Sequence, residues 1–288
     1  MTKKNIIAIT LLLGLFLGLA IVFGIYDLEI SKSFASSNPN LLFRILDALG
    51  EFPIYIGPIF FGLVYGFTCK SKNMRLIFHT IGLIGTYIGL IRLSKGIFEV
   101  FFSSNLGVLQ FSLLAIAALL LYVFFYLLLS KVDRKSLMKI SDVALIYLIV
   151  VASSFLIVSI TKNVWGRTRF RALSDDFSEY SSFLNINFLE GFNGDDYRSF
   201  PSGHTNAATS ILILSLIPSR LSSKKWICYL TFSFCLLYPI IVAISRVGVG
   251  AHYASDVLFG FMISISCFLI THITFKKKGW LNVRSVER

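Results

Sequence analysis

Long apolar runs dominate the chain, with polar residues gathered in short patches between them. A helix that crosses a bilayer needs about 20 mostly apolar residues. Eight runs come close enough to qualify: 5–26, 53–69, 76–98, 106–130, 140–161, 203–219, 226–244 and 255–275. Lipid offers the backbone no hydrogen-bond partner, so each run is expected to be helical. The spacing of Leu41, Leu42, Ile45, Leu46 and Leu49 after Asn38-Pro39-Asn40 marks one apolar face of a further short helix near 40–51. That helix is expected to lie flat in the membrane interface. The first run follows Lys3 and Lys4 as a signal peptide would, but it is long and shows no small-residue cleavage site before Tyr26 and Asp27. It is expected to be retained. The predicted fold class is an all-α polytopic transmembrane helix bundle of about eight helices, without internal repeats or a separate soluble domain.

Composition agrees with that pattern. Hydrophobic residues make up 56% of the 288 residues and charged residues 15%, against about 45–50% and about 25% in soluble domains. Disorder is excluded because too little of the chain is polar. The four cysteines, at 69, 228, 235 and 267, lack ligand-like spacing and read as apolar packing residues.

The net charge of +12 raises nucleic acid as a partner, but its placement points elsewhere. With the N-terminus inside, every inner connection is basic: Lys3 and Lys4, then Lys70, Lys72 and Arg75, then Lys131 to Lys139, then Arg220, Lys224 and Lys225, and finally Lys276 to Arg288. This is the positive-inside pattern. It predicts a multi-pass membrane protein with both termini cytoplasmic and no nucleic-acid partner. The many Phe, Ile, Lys and Asn residues and the short loops suggest a bacterial plasma (inner) membrane. Oligomeric state is not legible.

Three polar clusters fall on the predicted outer side: Lys162 to Phe170, Phe200 to Thr205, and Ser245 to Asp256. Lys162, Arg169 and Arg246 supply three cations, as a phosphate ester requires, and an arginine fork grips two phosphate oxygens at once. Pro201 and Gly203 open a helix whose free N–H groups favour an anion. His252 and Asp256 are four apart and share one face of a helical turn. A carboxylate on one ring nitrogen leaves the other free to attack phosphorus. His204 can then protonate the leaving oxygen.

The joint pattern Lys-x6-Arg, Pro-Ser-Gly-His and Ser-Arg-x5-His-x3-Asp resembles the type 2 phosphatidic acid phosphatase (PAP2) superfamily, in its integral-membrane lipid phosphatase branch. The resemblance implies a PAP2-like catalytic core over 140–275, preceded by additional N-terminal transmembrane helices in 1–139 and followed by a basic inner tail, 276–288. It implies that His252 forms a phosphohistidine, that Asp256 orients it and that His204 is the proton donor. Lys162, Arg169, Ser202, Gly203 and Arg246 would bind the phosphate. No metal or other cofactor is implied, and no carboxylate cluster has metal-ligand spacing. The sequence departs from the pattern at Phe170, where the family has proline. It also has five helices before the first motif, where six-helix relatives have three.

The expected function is hydrolysis of a lipid phosphate or diphosphate at the outer membrane face, with undecaprenyl diphosphate, phosphatidylglycerophosphate, phosphatidate and lipid A as candidates. The expected partners are that lipid substrate and the membrane lipids. A lipid phosphotransferase would use the same site. A transporter or channel would instead need charges at mid-bilayer in several helices. His79 and His272 read as packing groups, and the acidic stretch 175–196 as a solvated loop. Arg167 and Arg171 are open between substrate contact and headgroup contact.

Overall fold

The structure, a computed structural model, describes residues 3–36, 38–101, 107–222 and 224–281. Residues 282–288 of the expected basic tail, with Arg284 and Arg288, lie outside the described residues, as does the first residue of the expected 106–130 run. The helices are α1 (Lys3–Phe34), α2 (Leu41–Gly50), α3 (Pro53–Thr68), α4 (Lys72–Phe101), α5 (Val108–Ser130), α6 (Arg134–Lys139), α7 (Ser141–Trp165), α8 (Gly203–Thr209), α9 (Ile217–Leu221), α10 (Lys225–Gly248) and α11 (Ala254–Lys277). No strand occurs among the described residues. Seven helical stretches are long and apolar enough to cross a membrane, and the chain is a multi-pass membrane protein. Large apolar side chains such as Leu11, Leu15 and Ile21 on α1 and Leu120 and Phe124 on α5 are exposed, as suits a surface solvated by lipid rather than water.

The bundle is organised around α7. Val143, Ile146, Tyr147 and Val150 are fully buried on it, packed with residues of α3, α11 and the segment after α8. The Tyr147 hydroxyl, which needs a partner once buried, donates to the Pro53 carbonyl at 2.8 Å. In lipid, helices associate through close packing rather than hydrophobic burial. The α3–α4 contact shows how: a Cβ on Gly62 would stand 2.5 Å from the Phe78 carbonyl oxygen, so only glycine permits this approach.

Three expectations are corrected. The run 203–219 is not one α-helix; α8 and α9 flank a 3₁₀ stretch, Ser210–Leu216, and the segment is not one of the seven spanning helices. Because a 3₁₀ turn rises about 2.0 Å per residue, the whole segment reaches about 32 Å, close to the hydrocarbon thickness of about 30 Å. Second, α1 does not stop at residue 26. It continues to Phe34 and carries a fully buried Asp27 into the bundle. Third, α2 forms where expected, with the Asn40 side chain accepting from Phe43 N at 2.9 Å, but it packs against α10, α4 and α8 rather than resting on the interface alone.

Candidate active site

The site forms where the C-terminal ends of α7 and α10 meet the N-terminal ends of α8 and α11. At the end of α7, Gly166 takes φ of 59°, a left-handed conformation that glycine adopts without strain. The turn releases Arg167, Thr168 and Arg169 from the helix. Ser199 N donates to Arg167 O at 2.9 Å and Arg169 N to Asp196 O at 2.7 Å, which stitches this segment to the chain entering α8. There the Ser202 side chain caps the helix, accepting from Thr205 N at 3.3 Å. Ser202 N donates to the Asp256 carbonyl at 2.9 Å. A Cβ on Gly260 would overlap the Ser202 carbonyl, so that glycine allows α8 to seat on α11. Between α10 and α11 the chain doubles back, with Ala251 N and His252 N both donating to Arg246 O at 3.2 Å.

These turns bring every predicted site residue to one end of the bundle. Lys162 Nζ donates to Arg198 O at 2.5 Å, and its Cε would lie 3.5 Å from a Cβ on Gly203. Arg169 donates through Nε to Asp195 O at 2.8 Å and through Nη2 to the Asp195 carboxylate at 2.9 Å. Arg246 is buried and ion-paired with Asp47 of α2. The same Asp47 carboxylate lies 3.7 Å from His204 Nε2, while Glu51 lies 3.3 Å from His204 Nδ1. His252 Nδ1 faces Asp256 Oδ2 at 3.6 Å, longer than a closed hydrogen bond. Catalytic hydrogen bonds of this kind often tighten only in the substrate complex. Among the described residues, no group of three His, Cys, Asp or Glu side chains is placed to hold a metal ion.

Burial pushes the His252 imidazole well below its ordinary value, and Lys162, Arg246 and Arg169 push in the same direction while Asp256 opposes them. His252 is therefore neutral at pH 7, with one nitrogen turned to Asp256 and the other available.

Residues 143–280 match the PAP2 superfamily. This segment, just under half of the chain, is similar to PAP2 superfamily proteins. A curated relative described as a lipid A 1-phosphatase, from Rhizobium johnstonii, is 31% identical over 133 residues, which cover 46% of this chain and 47% of that protein. The chain thus spans about half the length of the curated relative it matches. No solved structure matches.

Phe170, the departure from the PAP2 pattern, opens a 3₁₀ turn over Phe170–Ala172. Its ring stacks on Phe177 at 5.8 Å and meets Tyr253 edge-on at 6.2 Å, so aromatic packing holds the loop there. Four residues that sequence reasoning did not assign stand in or behind this cluster. Arg167 is wholly buried against Asp256 and Asp27, which removes it from headgroup contact. Asp27, Asp47 and Glu51 all precede the matched segment, on α1, on α2 and at the C-cap of α2. Asp27 carried one signal, a carboxylate adjoining an apolar span, which is costly there unless it has a task. Asp47 on α2 and Glu51, which caps its C-terminus, are four apart and so share a face. Asp195, in the solvated loop expected from sequence and itself 69% exposed, also ion-pairs with Arg169. Arg171 is exposed and only its backbone is engaged, with Arg171 N donating to Gly250 O at 2.9 Å. His79 stands apart from the site, 3.0 Å from the Tyr122 hydroxyl.

Proposed function

We propose that this protein is a metal-independent lipid phosphatase working through a phosphohistidine on His252 at the outer face of a bacterial plasma membrane. The observation that carries this reading is the buried His252–Asp256 pair set among Lys162, Arg169 and Arg246, with His204 reaching the same Asp47 that engages Arg246. Substrate phosphate displaces the carboxylates of Asp47 and Asp195 from Arg246 and Arg169. Lys162, Ser202 and the Gly203 backbone complete the cradle. His252 Nε2 attacks phosphorus while the bond to the lipid oxygen breaks, and His204 protonates that oxygen as it leaves. Asp256 stabilises the charge that develops on the His252 ring. Water then attacks the phosphohistidine, giving its proton to His204, and inorganic phosphate departs with His252 regenerated. Three cations supply the charge neutralisation that a divalent ion gives elsewhere.

The positive-inside pattern supports an outward-facing site with both termini cytoplasmic. The catalytic core covers 140–275, and the helices of 1–139 support it from the side of α1 and α2. A site at the membrane surface suits a phosphate head on an acyl or prenyl tail, since each CH₂ held in lipid favours capture by about 0.8 kcal/mol. The test is phosphate release by purified protein from a panel of prenyl diphosphate, phosphatidylglycerophosphate, phosphatidate, lipid A and glycerol phosphate, in EDTA. Release from one or more lipids, inhibited by vanadate, is expected. Turnover of glycerol phosphate as fast as any lipid, or loss of all activity restored by magnesium, would contradict the reading.

A further inference from the structure

Behind the proposed nucleophile lies a cluster of charges that the mechanism above does not use. Arg167 Nη1 donates to Asp256 Oδ1 at 2.6 Å and to Ser255 Oγ at 2.9 Å. Its Nη2 donates to Asp27 Oδ2 at 3.0 Å and its Nε to Ser181 O at 2.9 Å. The guanidinium lies over the Tyr253 ring at 3.9 Å. Asp27 Oδ1 accepts from Ser255 N at 2.8 Å, and its other oxygen from the Ser255 hydroxyl. The side chains of Arg167, Asp27 and Asp256 are all fully buried. We infer that Arg167 and Asp27 are positioning residues: a buried counter-charge pair, reaching in from α1, that sets how strongly Asp256 holds His252. The inference rests on His252 being the nucleophile.

A helix could be fastened to the bundle with an apolar contact at less cost, because burying charges is expensive even when they are paired. Here one guanidinium is shared between two carboxylates. Arg167 alone would neutralise Asp256 and weaken its pull on the imidazole. Asp27 takes part of that positive charge, so Asp256 keeps enough negative character to stabilise a charged His252 ring. The groups that act on His252 are Asp256 from α11, Arg246 from α10, Lys162 from α7 and Arg169 from the loop after it. Arg167 and Asp27 act through Asp256, with Tyr253 and Tyr180 flanking the guanidinium. The signs follow from charge. Asp27→Asn makes the field at His252 more positive, so its protonation moves to lower pH. Arg167→Gln makes it more negative, so protonation moves to higher pH. In the double variant the two changes offset each other.

The test follows His252 directly. The chain has four histidines, so the imidazoles of ¹⁵N-histidine-labelled protein in detergent can be titrated by NMR and His252 assigned with His252→Gln. Asp27→Asn should shift the midpoint down and Arg167→Gln up, each by about half to one pH unit, given that a directly facing charge shifts a pKa by 1–3 units. The double variant should return to within a few tenths of the parent. Kinetics on dioctanoyl phosphatidate should show kcat falling at least tenfold in both single variants with KM within twofold, since neither residue touches phosphate. Shifts of the same sign, or no shift, would overturn the inference even if thermal stability fell. Should Arg167→Gln fail to fold, Asp27→Asn and the double variant decide, because a double variant matching Asp27→Asn would remove Arg167 from the account. A parent without lipid phosphatase activity, or an active His252→Gln, would instead sink the proposed function, and the titration would still be read.

Discussion

Replacing Asp256 with asparagine separates catalysis from fold in a way the geometry makes quantitative. The Asp256 carboxylate accepts from Arg167 Nη1 at 2.6 Å on one oxygen, and from Ser199 Oγ at 2.5 Å and Tyr253 N at 2.9 Å on the other. An asparagine amide has one accepting and one donating end. Turned either way, it sets its NH₂ against a buried donor, because neither the Arg167 fork nor the Tyr253 N–H can reverse. One unsatisfied buried donor costs about 1–3 kcal/mol. Charge balance does not worsen, since Arg167 keeps Asp27 as its partner at 3.0 Å, so the larger penalty of about 3–5 kcal/mol for an orphaned buried charge does not apply. Asp256→Asn should therefore fold, with a modestly lowered midpoint in thermal unfolding. Its kcat should fall far more. Losing the carboxylate behind a catalytic histidine costs about 10⁴-fold in the serine protease triad, and about 10³–10⁴-fold is expected here. Arg167→Ala should reverse the ranking in stability, because it leaves two buried carboxylates facing each other. Phosphate release and a thermal shift assay on both variants check this. Asp256→Asn retaining activity within tenfold of the parent, or unfolding more readily than Arg167→Ala, would refute the reasoning.

His204→Ala should impair phosphatidate hydrolysis more than prenyl diphosphate hydrolysis, by up to the general-acid factor of about 10²–10⁴, because phosphate leaves more readily than an alkoxide; equal losses on the two lipids would remove His204 as proton donor. Asp47→Asn frees Arg246 from a competing carboxylate and should lower KM for a lipid phosphate several-fold, measured by initial rates; an unchanged or raised KM would show that substrate does not displace Asp47. A cysteine introduced in 175–196 should react with an impermeant thiol reagent from outside intact cells and one in 131–139 should not; labelling of both from one side would overturn the orientation.

The spanning helices were legible because lipid leaves the backbone few choices, and runs as apolar as those of α5 and α7 have one solution. That Lys162, Arg169, Arg246, His204 and His252 would gather at one end of the bundle was legible because their spacing places them at helix ends that must meet. What stayed hidden depended on distant partners. Arg167, Arg169 and Arg171 alternate along five residues of chain and look alike in sequence. Only Asp27, 140 residues away, and Asp256 distinguish Arg167 as buried and Arg171 as exposed. The role of α2 was hidden for a similar reason: its apolar face was readable, but its acidic pair, Asp47 and Glu51, gains meaning only from Arg246 and His204. The run 203–219 was misjudged because hydropathy cannot separate α-helical from 3₁₀ geometry.

The central claim is a covalent phosphoryl group on His252, and rapid acid-free quenching of the enzyme with radiolabelled phosphatidate tests it most directly. The account predicts label bound to the protein through an acid-labile, base-stable linkage, mapped by proteolysis to the peptide containing His252, increased in His204→Ala if water attack slows, and absent in His252→Gln. Turnover at parental rates by His252→Gln, or label mapped to another residue, would contradict it.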